Sequence, residues 1–212
     1  MADGLGGLLA RAMSAPAEKD GDALAERILD AALTQVAAVG VRRTTVDDVA
    51  RRAGVGRVTV FRRFGHKERL LEVLAVREAR RFFAAIEAAT EGAGDAGEQL
   101  VASFVAGLRL ARTHPLLDRL ARIEPETVLA ALAQDRPPVM SIARELVARR
   151  IRLATRQGAV AVADADQVAE ALIRLAVSFV LLPESVVDLD DQAATAGFAQ
   201  TVIAPILQRP RR

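Results

Sequence analysis

Between Gly40 and Leu70 the chain carries nine basic side chains: Arg42, Arg43, Arg51, Arg52, Arg57, Arg62, Arg63, Lys67 and Arg69. Against them stand three acidic ones, Asp47, Asp48 and Glu68. The formal charge of the whole chain is only +2, so everything outside this window is net negative. A cationic module joined to an anionic remainder is the asymmetry of a polyanion binder. Guanidinium groups give that charge direction, because their planar fork can meet phosphate oxygens or the O6/N7 edge of guanine in a bidentate manner. Other chemistry has little to work with. There are two histidines, His66 and His114, and no cysteine, which excludes disulfides and thiolate metal sites. No nucleophile motif, phosphate loop or metal-ligand spacing is present. A set of Ser103, His114 and Asp118 can be assembled on paper, but nothing in its spacing supports catalysis. No enzyme, cofactor or metal is expected.

The elements that must position the basic residues are helices. Apolar residues make up 51% of the chain, chiefly helix formers, and aromatics only 3%, with no Trp or Tyr. Strand-type alternation is missing, so the expected fold class is all-α. A first helix fits Asp22 to Val39, where Ile28, Leu29, Ala32, Leu33, Val36 and Ala37 recur at helical period and Gly40 supplies a stop. Thr45 can N-cap a second helix, with Asp47 and Asp48 complementing its dipole and Val46, Val49, Ala50 and Ala53 on its inner face. Gly54 gives a sharp turn into a third helix from about Arg57 to Phe64. Gly65-His66 interrupts the chain before a long fourth helix from Lys67 to about Thr90. Further helices are expected at about 96–113, 115–123, 125–132, 137–157, 164–182 and 191–208. The expected organisation is a disordered leader over 1–20, a DNA-binding domain over 21–67 and a helical effector-binding and dimerisation domain over 68–212. The Gly- and Ala-rich leader lacks the basic start of a secretion signal. No apolar run approaches the ~18–20 residues needed to cross a bilayer, so no membrane partner is expected. A chain without cysteine suits the cytoplasm.

The second and third helices have the parts of a helix-turn-helix. Ala50 is small where the helices approach, Gly54 tolerates unusual backbone angles, and Val49, Val55, Val60 and Phe64 are apolar anchors. The second helix of such a unit lies in the major groove with its N-terminal residues at base edges. At the segment Thr45-Val-Asp-Asp-Val-Ala-Arg-Arg-Ala-Gly-Val-Gly-Arg-Val-Thr-Val-Phe-Arg-Arg-Phe-Gly-His-Lys-Glu-Arg-Leu-Leu71, the sequence resembles the TetR family of bacterial regulators. Ile28-Leu29-Asp30-Ala31-Ala32 and Gly40 extend the likeness, which covers about residues 24–74 in detail. The resemblance implies DNA contacts at Thr45, Thr59, Phe61, Arg62, Arg63 and Lys67, with Arg57 and Val58 at base edges. Lys67 would meet a phosphate together with the N-terminal amides of the fourth helix. Three positions depart from the family pattern. Phe61 stands where Tyr is common, Gly56 where Ser is common, and Val58 where Gly or another small residue is common. Phe61 thus loses a phosphate-donating hydroxyl and reads as a core anchor as well as a DNA contact. Gly56 leaves the third helix without a side-chain cap. Arg51 and Arg52 read as solvated or as weak phosphate contacts, and His66 as a cap or surface residue.

For the second half the resemblance implies an effector pocket and a homodimer interface. Phe104, Leu108, Leu117, Leu120, Val128, Met140 and Phe179 are candidates for an apolar pocket, with Ser103, Thr113, His114 and Ser141 as polar contacts. Arg109 or Arg112 could receive a carboxylate. Leu172, Leu175, Phe179, Phe198, Val202 and Ile206 are candidates for the dimer face, packing within the monomer being the competing reading. The expected partners are double-stranded operator DNA, a small hydrophobic or amphipathic effector, and a second copy of the chain. The expected function is a sequence-specific transcriptional regulator that represses until an effector releases it. An activator, or a nucleoid component that binds DNA without sequence preference, would use the same basic face. If Arg62 and Arg63 replace the missing tyrosine hydroxyl with charge, DNA binding should weaken steeply with salt, and Arg62→Ala should make that slope shallower by about 0.9. An unchanged slope in a salt titration would count against this.

Overall fold

A computed structural model of the chain describes residues 23–114, 117, 126, 139–182 and 184–208. The leader over 1–20, the helices expected over 115–123 and 125–132, Leu120, Val128 and the side chain of Ser141 lie outside the described residues. Among the described residues the regular elements are all helical: α1 (Ala23–Val39), α2 (Val46–Ala53), α3 (Arg57–Phe64), α4 (Lys67–Thr90), α5 (Ala96–Thr113), α6 (Val139–Arg156), α7 (Ala165–Leu181) and α8 (Gln192–Phe198). After α8 the helix runs on through a π turn, Ala199–Ile203, into Ala204–Ile206.

Side-chain caps set several of these boundaries. Asp95 Oδ1 accepts the amides of Gly97 and Glu98 at 2.8 and 2.9 Å, while Glu98 Oε2 accepts the Asp95 amide at 3.0 Å. That reciprocal capping box starts α5. Asp164 accepts the amides of Asp166 and Gln167, both at 3.0 Å, at the start of α7. The π turn was not expected from the apolar period, and Pro205 accounts for it. Proline has no N–H to give and crowds the carbonyl four residues back. The ladder shifts by one residue, so that the Ala204 amide reaches Ala199 O.

Two compact units result. Among the described residues the first takes 23–81 with 114, 117 and 126, and the second takes 82–113 and 139–208. The division falls inside α4, whereas the sequence places a boundary ahead of it at 67/68. Leu70 and Leu74 explain the difference, since they are built into the core of the first unit. That core joins Ile28, Leu29, Ala32 and Val36 of α1, Val46, Val49 and Ala50 of α2, Val60 and Phe64 of α3, and these two leucines. The core of the second unit joins Leu100, Phe104 and Leu108 of α5 to Ile151 of α6, Leu172 of α7, and Ile203 and Leu207 near the C-terminus.

A cluster of charges ties α1 to α4 in the first unit. The Arg77 side chain is only 10% exposed and lies 3.1 Å from Glu26, 2.8 Å from Asp30 and 2.8 Å from Glu78. Glu78, equally sequestered, also meets His114 Nε2 at 3.2 Å. Arg81 adds a second, more exposed cation at 2.9 Å from Glu26. Buried charges persist only when paired, and removing one partner of such a set is far more damaging than the pair is stabilising. Arg77→Ala takes the most buried cation from beside the Glu78 carboxylate and should lower the unfolding free energy by about 3 kcal/mol or more. Arg81→Ala, at a half-exposed site, should cost under about 1 kcal/mol. Urea denaturation of both variants checks this, and equal losses would show that the cluster does not depend on Arg77.

Candidate nucleic-acid interface

The interface is built from α2, the turn after it, and α3. Thr45 caps α2 from an extended backbone, φ −114° and ψ 158°. Its Oγ1 accepts the Asp48 amide at 3.2 Å and donates to Asp48 Oδ2 at 2.6 Å. Arg51 closes on the other oxygen of Asp48. The Thr45 hydroxyl, aided by Arg51, holds the Asp48 carboxyl below its ordinary value of 3.8. The ionised form that completes the cap is therefore present at neutral pH and is lost only as acid titrates through that lowered value. At the far end of α2, Gly54 adopts φ +65° and gives its amide to Ala50 O and Arg51 O. A Cβ there would meet nothing within 4 Å, so the need for glycine is one of backbone conformation alone. The Val55 amide, also on Ala50 O at 3.0 Å, completes the turn.

This turn delivers α3 with one face inward. Val60 and Phe64 are buried, four residues apart. The opposite face is open: Val58 is 78% exposed and Arg57, Arg62 and Arg63 are exposed around it. Among the described residues the Arg62 side chain has no hydrogen-bond or ion-pair partner. Thr59 is half-buried beside them. As expected, Gly56 gives α3 no side-chain cap.

Several predicted contact residues already have intramolecular roles. Arg57 Nη1 donates to Asp47 Oδ2 at 2.7 Å, and its guanidinium carbon lies 5.1 Å from the centre of the Phe61 ring. Phe61 is half-buried against the core, so its two readings, anchor and surface, share one ring. Lys67 Nζ donates to Arg42 O at 3.3 Å from the start of α4. His66 acts there as a cap, its Nδ1 accepting the Arg69 amide at 3.1 Å. Arg52, on the helix that positions α3, donates through Nε and Nη2 to the buried Gln35 Oε1 at 3.2 and 3.1 Å, and so ties α2 to α1. Neither Asp47–Arg57 nor Gln35–Arg52 was foreseen. Both pairs join different helices, and no helical spacing encodes them.

Most of the other candidates pack in or against the core of the second unit. Phe104 and Leu108 are buried in its core. The rings of Phe104 and Phe179 both pack on Phe198, at 6.4 and 5.3 Å between centres. Met140 is half-buried on α6, and Leu117, which belongs to the first unit, is half-buried too. A groove of about 880 Å³ opens elsewhere in the second unit, between the ends of α4 and α6 and the start of α5. Leu100, Leu153 and Ala154 are among its apolar lining residues, and Glu87, Arg149 and Arg156 among its charged ones. Of the described pocket candidates, Phe104, Leu108, Leu117, Met140 and Phe179 are not among its lining residues. Of the candidate dimer residues, Leu172 is buried and Leu175, Phe179 and Phe198 are half-buried. Val202 and Ile206 are exposed apolar residues at 38% and 39%. Among the described residues no helix is long and apolar enough to cross a membrane, and no acidic or histidine group could hold a metal ion.

Comparison with known proteins agrees with this arrangement. The family model described as bacterial regulatory proteins, tetR family, matches residues 28–74. A second, described as bacterial tetracyclin repressor, C-terminal domain, matches residues 95–205. An uncharacterized HTH-type transcriptional regulator of Mycobacterium bovis, Mb2274c, is 29% identical over 170 residues, covering 80% of this chain and 87% of that protein. The HTH-type transcriptional regulator AlkX of Mycobacterium tuberculosis is 26% identical over 170 residues, covering 78% of this chain and 76% of its own. In fold the chain is similar to the fatty acid degradation regulator FadR from Bacillus halodurans, with a TM-score of 0.65 and 21% identity over 92% of this chain and 100% of that one. With more than half of its length matched by the family's two domain models, and a helix-turn-helix whose outer face is basic, the chain belongs to the TetR family and is a DNA-binding transcriptional regulator.

Proposed function

We propose that the protein is a homodimeric repressor that holds a near-palindromic operator and leaves it when a small amphipathic effector binds. The observation that carries this reading is the outer face of α3. An exposed valine stands among three exposed arginines on a helix anchored by two buried side chains. Apolar contact with a thymine methyl and paired hydrogen bonds to guanine are the ways such a face reads base edges, and Arg62 and Arg63 supply phosphate contacts. Two such helices about 34–36 Å apart would enter successive major grooves. Val202 and Ile206, four residues apart near the C-terminus, support pairing with a second copy, with Leu175 and Phe179 of α7 as further candidates.

The groove of the second unit favours an effector with both an apolar body and a charged or polar end, because its lining combines leucine and alanine with arginine and glutamate. Such an effector acts as an inducer only if it binds the DNA-free state more tightly than the DNA-bound state. α4, which begins beside the reading head and continues to Thr90, is the element we assign to carrying that difference.

Selection of bound fragments from the source genome, followed by anisotropy titration of a labelled selected duplex, tests the reading. Saturation at two or four protomers per duplex is expected, with affinity ~10³-fold or more above that for random DNA. Amphipathic compounds screened in the same assay should include some that release the duplex. Equal affinity for selected and random DNA would overturn the regulator in favour of a nucleoid component. The anisotropy label is needed because the chain has no Trp or Tyr to report binding.

A further inference from the structure

Arg57 occupies the first position of α3, which is the unfavourable end of a helix for a cation. α3 has no acidic residue in its first turn, and Gly56 offers no capping oxygen. The charge is met from outside the helix. Asp47, in the first turn of α2, accepts from Arg57 Nη1 at 2.7 Å, and the Phe61 ring, one turn further along α3, sits 5.1 Å from the guanidinium carbon. The three residues form a clamp across both helices of the helix-turn-helix. Arg57 and Asp47 side chains are 59% and 55% exposed, so the pair adds little to stability. Its effect is geometric. An arginine has five N–H donors in a rigid fork, and the carboxylate at Nη1 leaves the others to meet a base.

We propose that Asp47 is a specificity-determining residue, which holds Arg57 against Phe61 in one pose aimed at a base edge and keeps it from serving as a general phosphate contact. This rests on the sequence-specific reading given above. Two effects act together. A guanidinium already fixed in direction loses less freedom on meeting guanine than a free one does. A carboxylate beside it repels any phosphate that approaches in the wrong register, so incorrect DNA is penalised rather than merely unrewarded. The clamp also gives Phe61 a use that needs no hydroxyl, since an aromatic face suffices to seat a cation.

The test uses the full-length protein and a randomised duplex library. The wild type, Asp47→Asn, Asp47→Ala, Asp47→Glu and Arg57→Ala are each taken through selection. Affinities for the wild-type consensus duplex and for a random duplex are then measured over a range of salt. Asp47→Asn and Asp47→Ala are expected to tighten binding to random duplex and to steepen its salt slope by about 0.9, the value of one added phosphate contact. The ratio of consensus to random affinity should fall about tenfold, within what one bidentate arginine–guanine pair discriminates. Both variants should lose preference at the same base pair of each half-site that Arg57→Ala loses, and Asp47→Glu should restore part of it. If the wild type selects a motif that Asp47→Asn and Asp47→Ala retain, with ratios within about twofold, the clamp is overturned while the regulator stands. If the wild type selects no motif, the sequence-specific reading fails and the clamp with it.

Discussion

The burial of Val60 and Phe64 decides what the rest of the molecule can do. α3 spans only Arg57–Phe64, too short to be stable alone, so its existence and its orientation both come from packing. Two apolar residues one turn apart leave a single way to seat the helix, and that way turns Val58 and Arg62 outward. Burying a valine and a phenylalanine is worth roughly 1.5–3 kcal/mol each, more than the small propensity differences among the residues of α3. The receiving surface comes from elsewhere: Ile28 and Val36 of α1, Val49 and Ala50 of α2, Leu70 and Leu74 of α4. The reading helix is thus specified by a core in which it is a minor contributor. The arginines that surround it are carried outward by that seating, and Arg57 is further oriented by Asp47 and Phe61.

Charge does for α1 and α4 what apolar packing does for α3, but with more direction. Arg77 is held by carboxylates from α1 and from its own helix, and Glu78 reaches His114 just past the end of α5. Apolar surfaces slide at little cost, whereas an ion cluster accepts few arrangements. The first unit therefore combines a greasy contact that sets the depth of α3 with a polar one that sets the register of α1 on α4. Arg52 and Gln35 add a second polar tie between α1 and α2.

What was legible in the sequence is local. Thr45, Gly54 and Gly65 mark helix ends by chemistry that acts within a few residues, and the structure uses Thr45 as an N-cap and Gly54 and Gly65 as C-caps. The outward face of α3 was legible in part for the same reason, since period separates Val60 and Phe64 from Arg62, whereas Val58 was placed there by the family resemblance. Long-range pairings were not. Asp47 reads as a helix-dipole residue until α3 is laid across it, and Arg77 is one arginine among many until Glu26 and Asp30 arrive from α1. Large apolar residues carry a further ambiguity, because the same phenylalanine suits a pocket wall and a core. Phe104, with 9% exposure, is core in this structure, while the groove is lined by small, polar, charged and leucine side chains. Pro205 was visible throughout, but that it would be absorbed by a π turn rather than a kink depends on how its neighbours pack.

The central claim, that the outer face of α3 enters the major groove, is most directly tested by disulfide trapping. The chain has no cysteine, so one introduced thiol is the only one present. The DNA would be a duplex selected by the wild-type protein, with a thiol tether on N4 of successive cytosines, a group that projects into the major groove. Val58→Cys should trap at one position in each half-site, the two about one helical turn apart. Leu153→Cys, at an exposed leucine of the second unit, should trap nowhere. Trapping by Leu153→Cys in place of Val58→Cys, or trapping by Val58→Cys spread evenly along the duplex, would contradict the account.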